Sequence, residues 1–171
     1  MRHWLRFLFA TTGILACTAA ISAAAADTYR VPQTGNPALV ADAPPGWTGQ
    51  RVGQNEVVIS SPGEMAVVEL SIISDPATAA KPLPEVAAEV FDSAPLPRWT
   101  SSEPASVAGL PGQAFITTVD RGTPVLVRVI IAKIDANHVA TVKEITMPKG
   151  TTPEQLSGLN GIVSHLSISG R

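Results

Sequence analysis

The stretch "PVLVRVIIAKI", from Pro124 to Ile134, decides the class of fold that this sequence can adopt. Four of its side chains alternate along one face of a strand: Val125, Val127, Val129 and Ile131. Leu126 and Ile130 lie on the other face, where Arg128 interrupts the apolar pattern. Because both faces are mostly apolar, the pattern predicts a central strand that is covered on both sides.

Short turns connect this stretch to a neighbouring strand on each side. Asp120-Arg121-Gly122 precedes it and Asp135-Ala136-Asn137 follows it, and Asp, Gly and Asn favour tight turns. The flanking segments are also rich in strand-forming residues, which predicts three more strands at Ala105–Ala108, Gln113–Val119 and His138–Thr146. A run of hairpins of this kind predicts antiparallel pairing.

Three further strands are predicted towards the N-terminus, at Ala38–Ala41, Glu56–Ser60 and Ala66–Ser74. The last of these places apolar residues on one face and polar residues on the other: Val68, Leu70 and Ile72 against Glu69 and Ser71. The segment Asp42–Gly53 is rich in Pro and Gly and is predicted to be a turn-rich connection that carries Trp47.

Two segments have helical rather than strand periodicity. The first has one apolar face formed by Leu83, Val86, Ala87, Val90 and Phe91, with Pro82 and Pro84 in its first turn. The second begins with Thr152, Pro153 and the capping-box residue Gln155, and its apolar stripe is Leu156, Leu159, Ile162, Val163 and Leu166. Gly158 and Gly161 weaken this helix but allow a close approach to the sheet. Many hairpins and few helices predict an α+β domain around an antiparallel sheet.

The N-terminus has the three parts of a secretory signal peptide, which we predict to be residues 1–26. Arg2 and Arg6 precede an apolar segment at 7–21, and small residues precede Asp27. The apolar segment is shorter than the roughly 20 residues of a membrane-spanning helix. An alternative is that Cys17 is lipidated, because "ILAC" resembles a bacterial lipobox. We therefore expect a periplasmic or secreted protein, or, in the alternative, a lipoprotein anchored through Cys17.

Removal of the signal peptide leaves about 145 of the 171 residues, which is enough for one domain with its own core. Residues 27–37 are polar and rich in turn-forming residues, and are predicted to be an N-terminal arm or linker. Residues 38–171 are predicted to form the single α+β domain. No transmembrane segment is predicted after residue 26.

Composition argues against several classes of function. The only cysteine is Cys17, so a mature chain cut after Ala26 has no disulfide, thiol nucleophile or Cys-based zinc site. Ten Lys and Arg then face 14 Asp and Glu, a net charge of about −4 with no basic run. Nucleic acid is therefore not an expected partner, because phosphate binding needs clustered basic residues.

Catalytic and metal-binding motifs are not recognisable in the sequence. His138 and His165 have no ligand spacing such as HExxH, and no Gly-x-Ser-x-Gly elbow or phosphate-binding loop is present. We therefore predict no catalytic, metal-binding or cofactor-binding residue. Trp47 is predicted to lie in the core, whereas Arg98 and Trp99, in the predicted loop Ala94–Ser102, are the candidate partner contacts.

Several short motifs resemble those of PsbP-like proteins. "ALVADAPPGW" (Ala38–Trp47) resembles their opening strand and P-x-G-W motif, and "EVVISSP" with "AVVELSIIS" resembles their first hairpin. "VAGLPGQAFITTV" (Val107–Val119) resembles their strand entry, with Gln113 as a departure from the pattern. "TPEQLSGLNGIVSHLSI" resembles their closing helix. The resemblance implies an α/β/α sandwich with a mostly antiparallel sheet and helices on both faces.

The same resemblance implies a role in binding or assembly without catalysis. We therefore expect an exported, non-enzymatic envelope protein whose partner is another envelope protein. The alternative is a small-ligand-binding protein or an enzyme with a site in a cleft between sheet and helix. A buried polar cluster that faces a cavity would favour the alternative, and a filled core with one apolar surface patch would favour protein binding.

Overall fold

The computed structural model describes residues 26–120 and 122–170. The predicted signal peptide up to Ala25, including Cys17, and Arg121 of the predicted hairpin turn lie outside these ranges. Within the described residues, none of the helices has the length and apolar composition that crossing a membrane requires.

The described residues form two antiparallel sheets, three α-helices and a short 3-10 turn at Pro62–Glu64. The strands are β1 (Thr28–Val31), β2 (Ala38–Asp42), β3 (Thr48–Arg51), β4 (Glu56–Ser60), β5 (Ala66–Ser74), β6 (Ser101–Val107), β7 (Leu110–Asp120), β8 (Pro124–Lys133), β9 (His138–Thr146) and β10 (Ser167–Ser169). The helices are α1 (Pro76–Ala80), α2 (Leu83–Ser93) and α3 (Pro153–Ser164). The prediction of an α+β fold with a mostly antiparallel sheet is confirmed.

The large sheet has seven strands in the order β3-β4-β5-β9-β8-β7-β6. The predicted central strand, β8, pairs with β7 on one side and with β9 on the other. Its alternate residues enter two different clusters of buried side chains: Val129 and Ile131 enter one, Ile130 and Ala132 the other. The apolar character of both faces of this strand, read from the sequence, is thus explained.

The two clusters contain residues of different helices. The first contains Leu159 and Ile162 of α3 together with Val68 and Leu70 of β5. The second contains residues of α1 and α2 together with aromatic and branched residues of β7, β8 and β9: Ala79, Val86, Ala87, Phe91, Phe115, Val127, Val129, Ile131 and Val139. Apolar area is therefore buried on both sides of β8, which is the main driving force for folding.

The small sheet has the order β1-β2-β10 and corrects the prediction of an arm or linker at residues 27–37. Thr28–Val31 form β1, which pairs with β2, and Val31 is fully buried. Ser167–Ser169 form β10 on the other side of β2. The polar composition of the N-terminal segment concealed this strand, because a single buried residue, Val31, gives no alternating pattern.

Two connections are shorter than predicted. The Pro- and Gly-rich segment after β2 contains the strand β3, and β6 begins at Ser101 instead of Ala105. β6 and β7 are joined by Ala108 and Gly109, whose φ angles are 50° and 78°. Two successive residues with positive φ fit the twist of a tight hairpin, and Gly109 adopts such a φ without steric cost.

The helix starts agree with the sequence. Thr152 accepts a hydrogen bond from the backbone of Gln155, and the Gln155 side chain accepts one from the backbone N–H of Thr152. α2 begins at Leu83 after Pro82, as its periodicity predicts. On α3, Gly158 packs on Trp47, but nothing lies within 4 Å of a Cβ placed on Gly161. Close packing is therefore found at Gly158, against a side chain in the connection before β3 and not against a strand as predicted, and it is not found at Gly161.

Candidate functional site

A cavity of about 170 Å³ lies between the C-terminal end of α2 and the strands β4, β5 and β9. Its polar lining residues are Glu56, Glu69, Ser71, Ser93, Thr141 and Lys143. We call this the polar cavity. Its apolar wall includes Val90 of α2 and Val129 of β8.

Strand register brings these polar side chains together. Glu56 is opposite Ser71, Ser71 is opposite Thr141, and Glu69 is opposite Lys143. Residues directly opposite each other in antiparallel strands point to the same face of the sheet. Lys143 is in turn opposite Val129, which belongs to the cluster around α2, so the polar cavity lies on the α2 face of the sheet.

The polar groups in the cavity differ in whether they have a hydrogen-bonding or ionic partner. The Ser71 and Thr141 hydroxyl oxygens lie 2.5 Å apart in a hydrogen bond, and Lys143 donates to the Glu69 carboxylate. Within residues 26–120 and 122–170, no side chain forms a hydrogen bond or ion pair with the Glu56 carboxylate. Burial raises the pKa of Glu56 above its ordinary value, the negative charge of Glu69 raises it further, and Lys143 opposes both.

A second depression continues along the same face of the sheet. It has a volume of about 340 Å³, and its lining residues are mostly apolar: Leu96, Val119, Thr123, Val125, Val127, Ile145 and Met147. We call this the apolar groove. Val127 and Ile145 lie two residues beyond Val129 and Lys143 on their strands. Because alternate residues share a face, the apolar groove adjoins the polar cavity.

A third depression, of about 410 Å³, lies beside α3 and contains an ion-pair cluster. Arg128 donates from Nη1 to Glu144 at 2.9 Å and from Nη2 to Glu103 at 3.2 Å. Burial raises the pKa of Glu144, and the Arg128 charge opposes this rise. The Arg128 guanidinium thus forms ion pairs with both carboxylates, and the cluster is explained as a structural ion-pair network.

The predicted partner contacts, Arg98 and Trp99, do not line the polar cavity or the apolar groove. Trp99 is half-buried and packs edge-on against Phe91 and Phe115, with ring centroids 5.5 and 5.0 Å away. The Arg98 guanidinium carbon lies 4.1 Å from the centroid of the Trp99 ring and remains exposed. Trp99 therefore contributes to the core around α2, and Arg98 is the more accessible of the two.

Trp47 is buried, at 7% exposed, in the cluster that includes α3, which confirms its predicted place in the core. The two histidines have unrelated surroundings. His138 Nδ1 lies 2.8 Å from Asp135 Oδ1 at a hairpin turn, and His165 Nδ1 lies 2.8 Å from the Gly161 carbonyl oxygen at the end of α3. No group of three or more His, Cys, Asp or Glu residues suited to a metal ion is found among the described residues.

Sequence reasoning missed the lining of the polar cavity. The only available signal was the placement of polar residues at alternate positions of strands that are otherwise apolar, such as Glu69 with Ser71 and Thr141 with Lys143. Such residues normally indicate a solvated face. They line one cavity here because β5 and β9 pair in a register that the sequence does not display.

Comparison with known proteins gives similarity at the level of structure. No protein-family model matches the sequence, and no curated protein matches it. Cyanobacterial PsbP from Synechocystis has a TM-score of 0.57 and 16% identity, covering 91% of this chain and 99% of its own. LpqN from Mycobacterium tuberculosis, which is involved in cell envelope biogenesis, has a TM-score of 0.54 and 13% identity, covering 84% of this chain and 91% of its own.

A protein from Bacteroides thetaiotaomicron has a TM-score of 0.51 and 12% identity over 78% of this chain. The chain spans 45% of the length of that protein. The class is therefore that of α+β proteins with a large antiparallel sheet, and within it the fold is PsbP-like. This confirms the resemblance stated from the sequence, and identities of 12 to 16% show a common fold alone.

Proposed function

We propose that this protein is an exported, non-enzymatic binding protein of the cell envelope. The main observation in support is that the polar cavity and the apolar groove adjoin on the α2 face of the sheet. A concave surface with an apolar part and a few convergent polar groups is the usual form of a ligand site. The N-terminal signal-peptide pattern and the structural similarity to LpqN support the envelope location.

We infer that the architecture is an α/β/α sandwich, with α3 on one face of the large sheet and α1 and α2 on the other. The separate clusters of buried residues around these helices support this arrangement. It matters for function because α2 ends at Ser93, beside the polar cavity. The polar cavity lies against the C-terminal end of α2, and the apolar groove lies beyond it, with no residue of α1, α2 or α3 in its lining.

The binding role can be tested with a neutral fluorescent probe, N-phenyl-1-naphthylamine, which brightens in apolar sites. We expect saturable binding that Val125→Thr weakens, because Val125 lines the apolar groove. Leu126→Thr is the matched control, since Leu126 is 38% exposed and points to the opposite face of the same strand. Absence of saturable binding, or an equal effect of both changes, would contradict the proposal.

Contact with another envelope protein is the second part of the proposed role. Leu96 lines the apolar groove two residues before the exposed Arg98, so a protein that approached the groove would meet Arg98 at its rim. A photo-crosslinking residue at position 98 should capture a discrete partner in exporting cells. The control is the same residue at position 156, where Leu156 is exposed on α3. Identical products from both positions would remove the support for a contact at Arg98.

One observation favours an enzyme instead. A carboxyl group with a raised pKa beside a second carboxylate, as in Glu56 beside Glu69, is an arrangement that general acid-base catalysts use. Hydrolysis assays with chromogenic esters and glycosides would test this alternative. Activity that is lost in both Glu56→Gln and Glu69→Gln would replace the non-enzymatic proposal.

A further inference from the structure

The polar cavity has an uncompensated negative charge. Two carboxylates, Glu56 and Glu69, face one ammonium group, Lys143, and Lys143 is already paired with Glu69. Glu56 is half-buried, and no described side chain forms an ion pair or hydrogen bond with its carboxylate. The Glu56 carboxylate is therefore the group in this cavity that a positively charged ligand would satisfy.

The C-terminal end of α2 adds to this negative character. Val90, Ser93 and Ala94 line the polar cavity, and the last turn of α2 contains no basic residue. The carbonyl groups at the end of a helix carry partial negative charge, which stabilises cations placed nearby. The helix end is independent of the two glutamates, and both favour the same sign of charge in a ligand.

The apolar groove begins beside the polar cavity, the part of the surface that favours a cation. From Lys143 in β9 to Met147 just after it, the chain advances by about 13 Å at the usual rise of a strand. The alternate residues that face the α2 side change from charged to apolar along this path: Lys143, Ile145 and Met147. An extended dodecyl chain has a comparable length. Protein side chains and simple polar ligands would leave one of the two parts of this surface unused.

We propose that the α2 face binds an amphiphilic molecule with a cationic amine head and a single apolar chain. The head occupies the polar cavity beside Glu56 and the end of α2, and the chain lies in the apolar groove against Val125, Val127 and Ile145. The choice of ligand rests on the binding role proposed above, and it specifies the ligand by charge and shape.

Isothermal titration of the exported chain with dodecylammonium, dodecyl maltoside and dodecyl sulfate, each below its micellar concentration, tests the charge preference. We expect dodecylammonium to bind about tenfold more tightly than dodecyl maltoside, because a charge-assisted contact with a carboxylate is worth at least that factor. Dodecyl sulfate should bind most weakly. Equal affinities for the cationic and neutral amphiphiles would overturn the proposal while leaving a binding role intact.

Substitutions separate the two ends of the site. Glu56→Gln should remove most of the tenfold preference and leave the affinity for dodecyl maltoside within twofold, whereas Glu64→Gln, on the exposed 3-10 turn, should change neither. Val125→Thr should weaken all three amphiphiles, and Leu126→Thr none. An unchanged preference in a folded Glu56→Gln variant, checked by circular dichroism, would overturn the placement of the head.

A ligand that has the ammonium head but no apolar alkyl chain provides the last test. N-acetyl-lysine methylamide carries the same ammonium, and we expect it to bind far more weakly than dodecylammonium. Equal binding would overturn the amphiphile and identify a basic protein side chain as the occupant. Failure of every amphiphile and of the neutral naphthylamine probe would contradict the proposed function itself, so the two failures are distinguishable.

Discussion

A Cβ atom placed on Gly158 would lie 2.9 Å from Cζ2 of Trp47, so α3 requires a glycine where it packs on the indole ring. Trp47 is buried beneath the helix and cannot move aside without disturbing the cluster that contains Leu159 and Ile162. The glycine lowers the helix propensity of α3, and the packing of a large aromatic side chain offsets that loss.

Alanine at this glycine should therefore destabilise the protein. In Gly158→Ala, overpacking outweighs the gain in helix propensity, and we expect a net loss of about 1–2 kcal/mol in the free energy of unfolding. Gly161→Ala is the matched control on the same helix. Nothing lies within 4 Å of its added Cβ, so the change should stabilise by up to about 1 kcal/mol. Urea unfolding of both variants gives the values, and equal effects would contradict the contact with Trp47.

Replacement of either tryptophan by alanine should lower the free energy of unfolding, more at Trp47 than at Trp99. Trp47→Ala should cost about 3–5 kcal/mol, the usual range for a buried tryptophan. Trp99→Ala should cost about 2–3 kcal/mol, because Trp99 is half-buried and makes edge-on contacts with Phe91 and Phe115.

Arg98→Ala should destabilise the protein much less than Trp99→Ala, because the Arg98 side chain is exposed and the Trp99 side chain packs on the core. Its contact with the Trp99 ring is worth about 1 kcal/mol or less at an exposed site. Thermal and urea unfolding should therefore place this variant close to the unsubstituted protein. A loss for Arg98→Ala as large as that for Trp99→Ala would contradict the division of roles between the two residues.

Stability should depend on the ionisation of Glu56. Because its pKa in the folded state lies above its ordinary value of 4.5, the folded protein binds the proton more tightly than the unfolded chain does. Stability from this group is therefore fully present below about pH 4.5 and decreases as the pH rises through the two pKa values. Glu56→Gln should consequently be more stable than the unsubstituted protein at pH 7, with the difference disappearing at low pH.

Unfolding curves at pH 7 and pH 4 measure this difference, with Glu64→Gln as the control for a change of net charge alone. A Glu56→Gln variant that is less stable at pH 7 would contradict the uncompensated carboxylate. A destabilising group that remains in a cavity is typical of binding sites, where function and stability compete.

Export and processing are tested at the N-terminus. N-terminal sequencing of the protein from the periplasm or medium should show cleavage near Ala26, and Cys17→Ser should leave its location unchanged. Labelling with a fatty-acid analogue distinguishes the alternative, since a lipoprotein would carry the label and would lose it in Cys17→Ser. Elemental analysis of the same material should contain no stoichiometric zinc, as predicted for His138 and His165.

Elements with a long and regular periodicity could be predicted from the order of residues. The alternation in 124–134 identified the central strand, and the spacing of Val86, Val90 and Phe91 identified α2. Thr152 and Gln155 specified the start of α3, because a capping box depends only on residues three apart. These features depend on local geometry, which the order of residues contains directly.

The short strands and the polar cavity depend on contacts between distant segments and could not be predicted from the order of residues. β1 and β10 become strands because β2 offers hydrogen-bonding partners on both edges, and segments of three or four residues carry too little pattern to be predicted alone. Glu56, Glu69 and Lys143 are 13 to 87 residues apart in sequence. They meet because antiparallel register fixes which side chains share a face, and register is a property of paired strands that no single segment encodes.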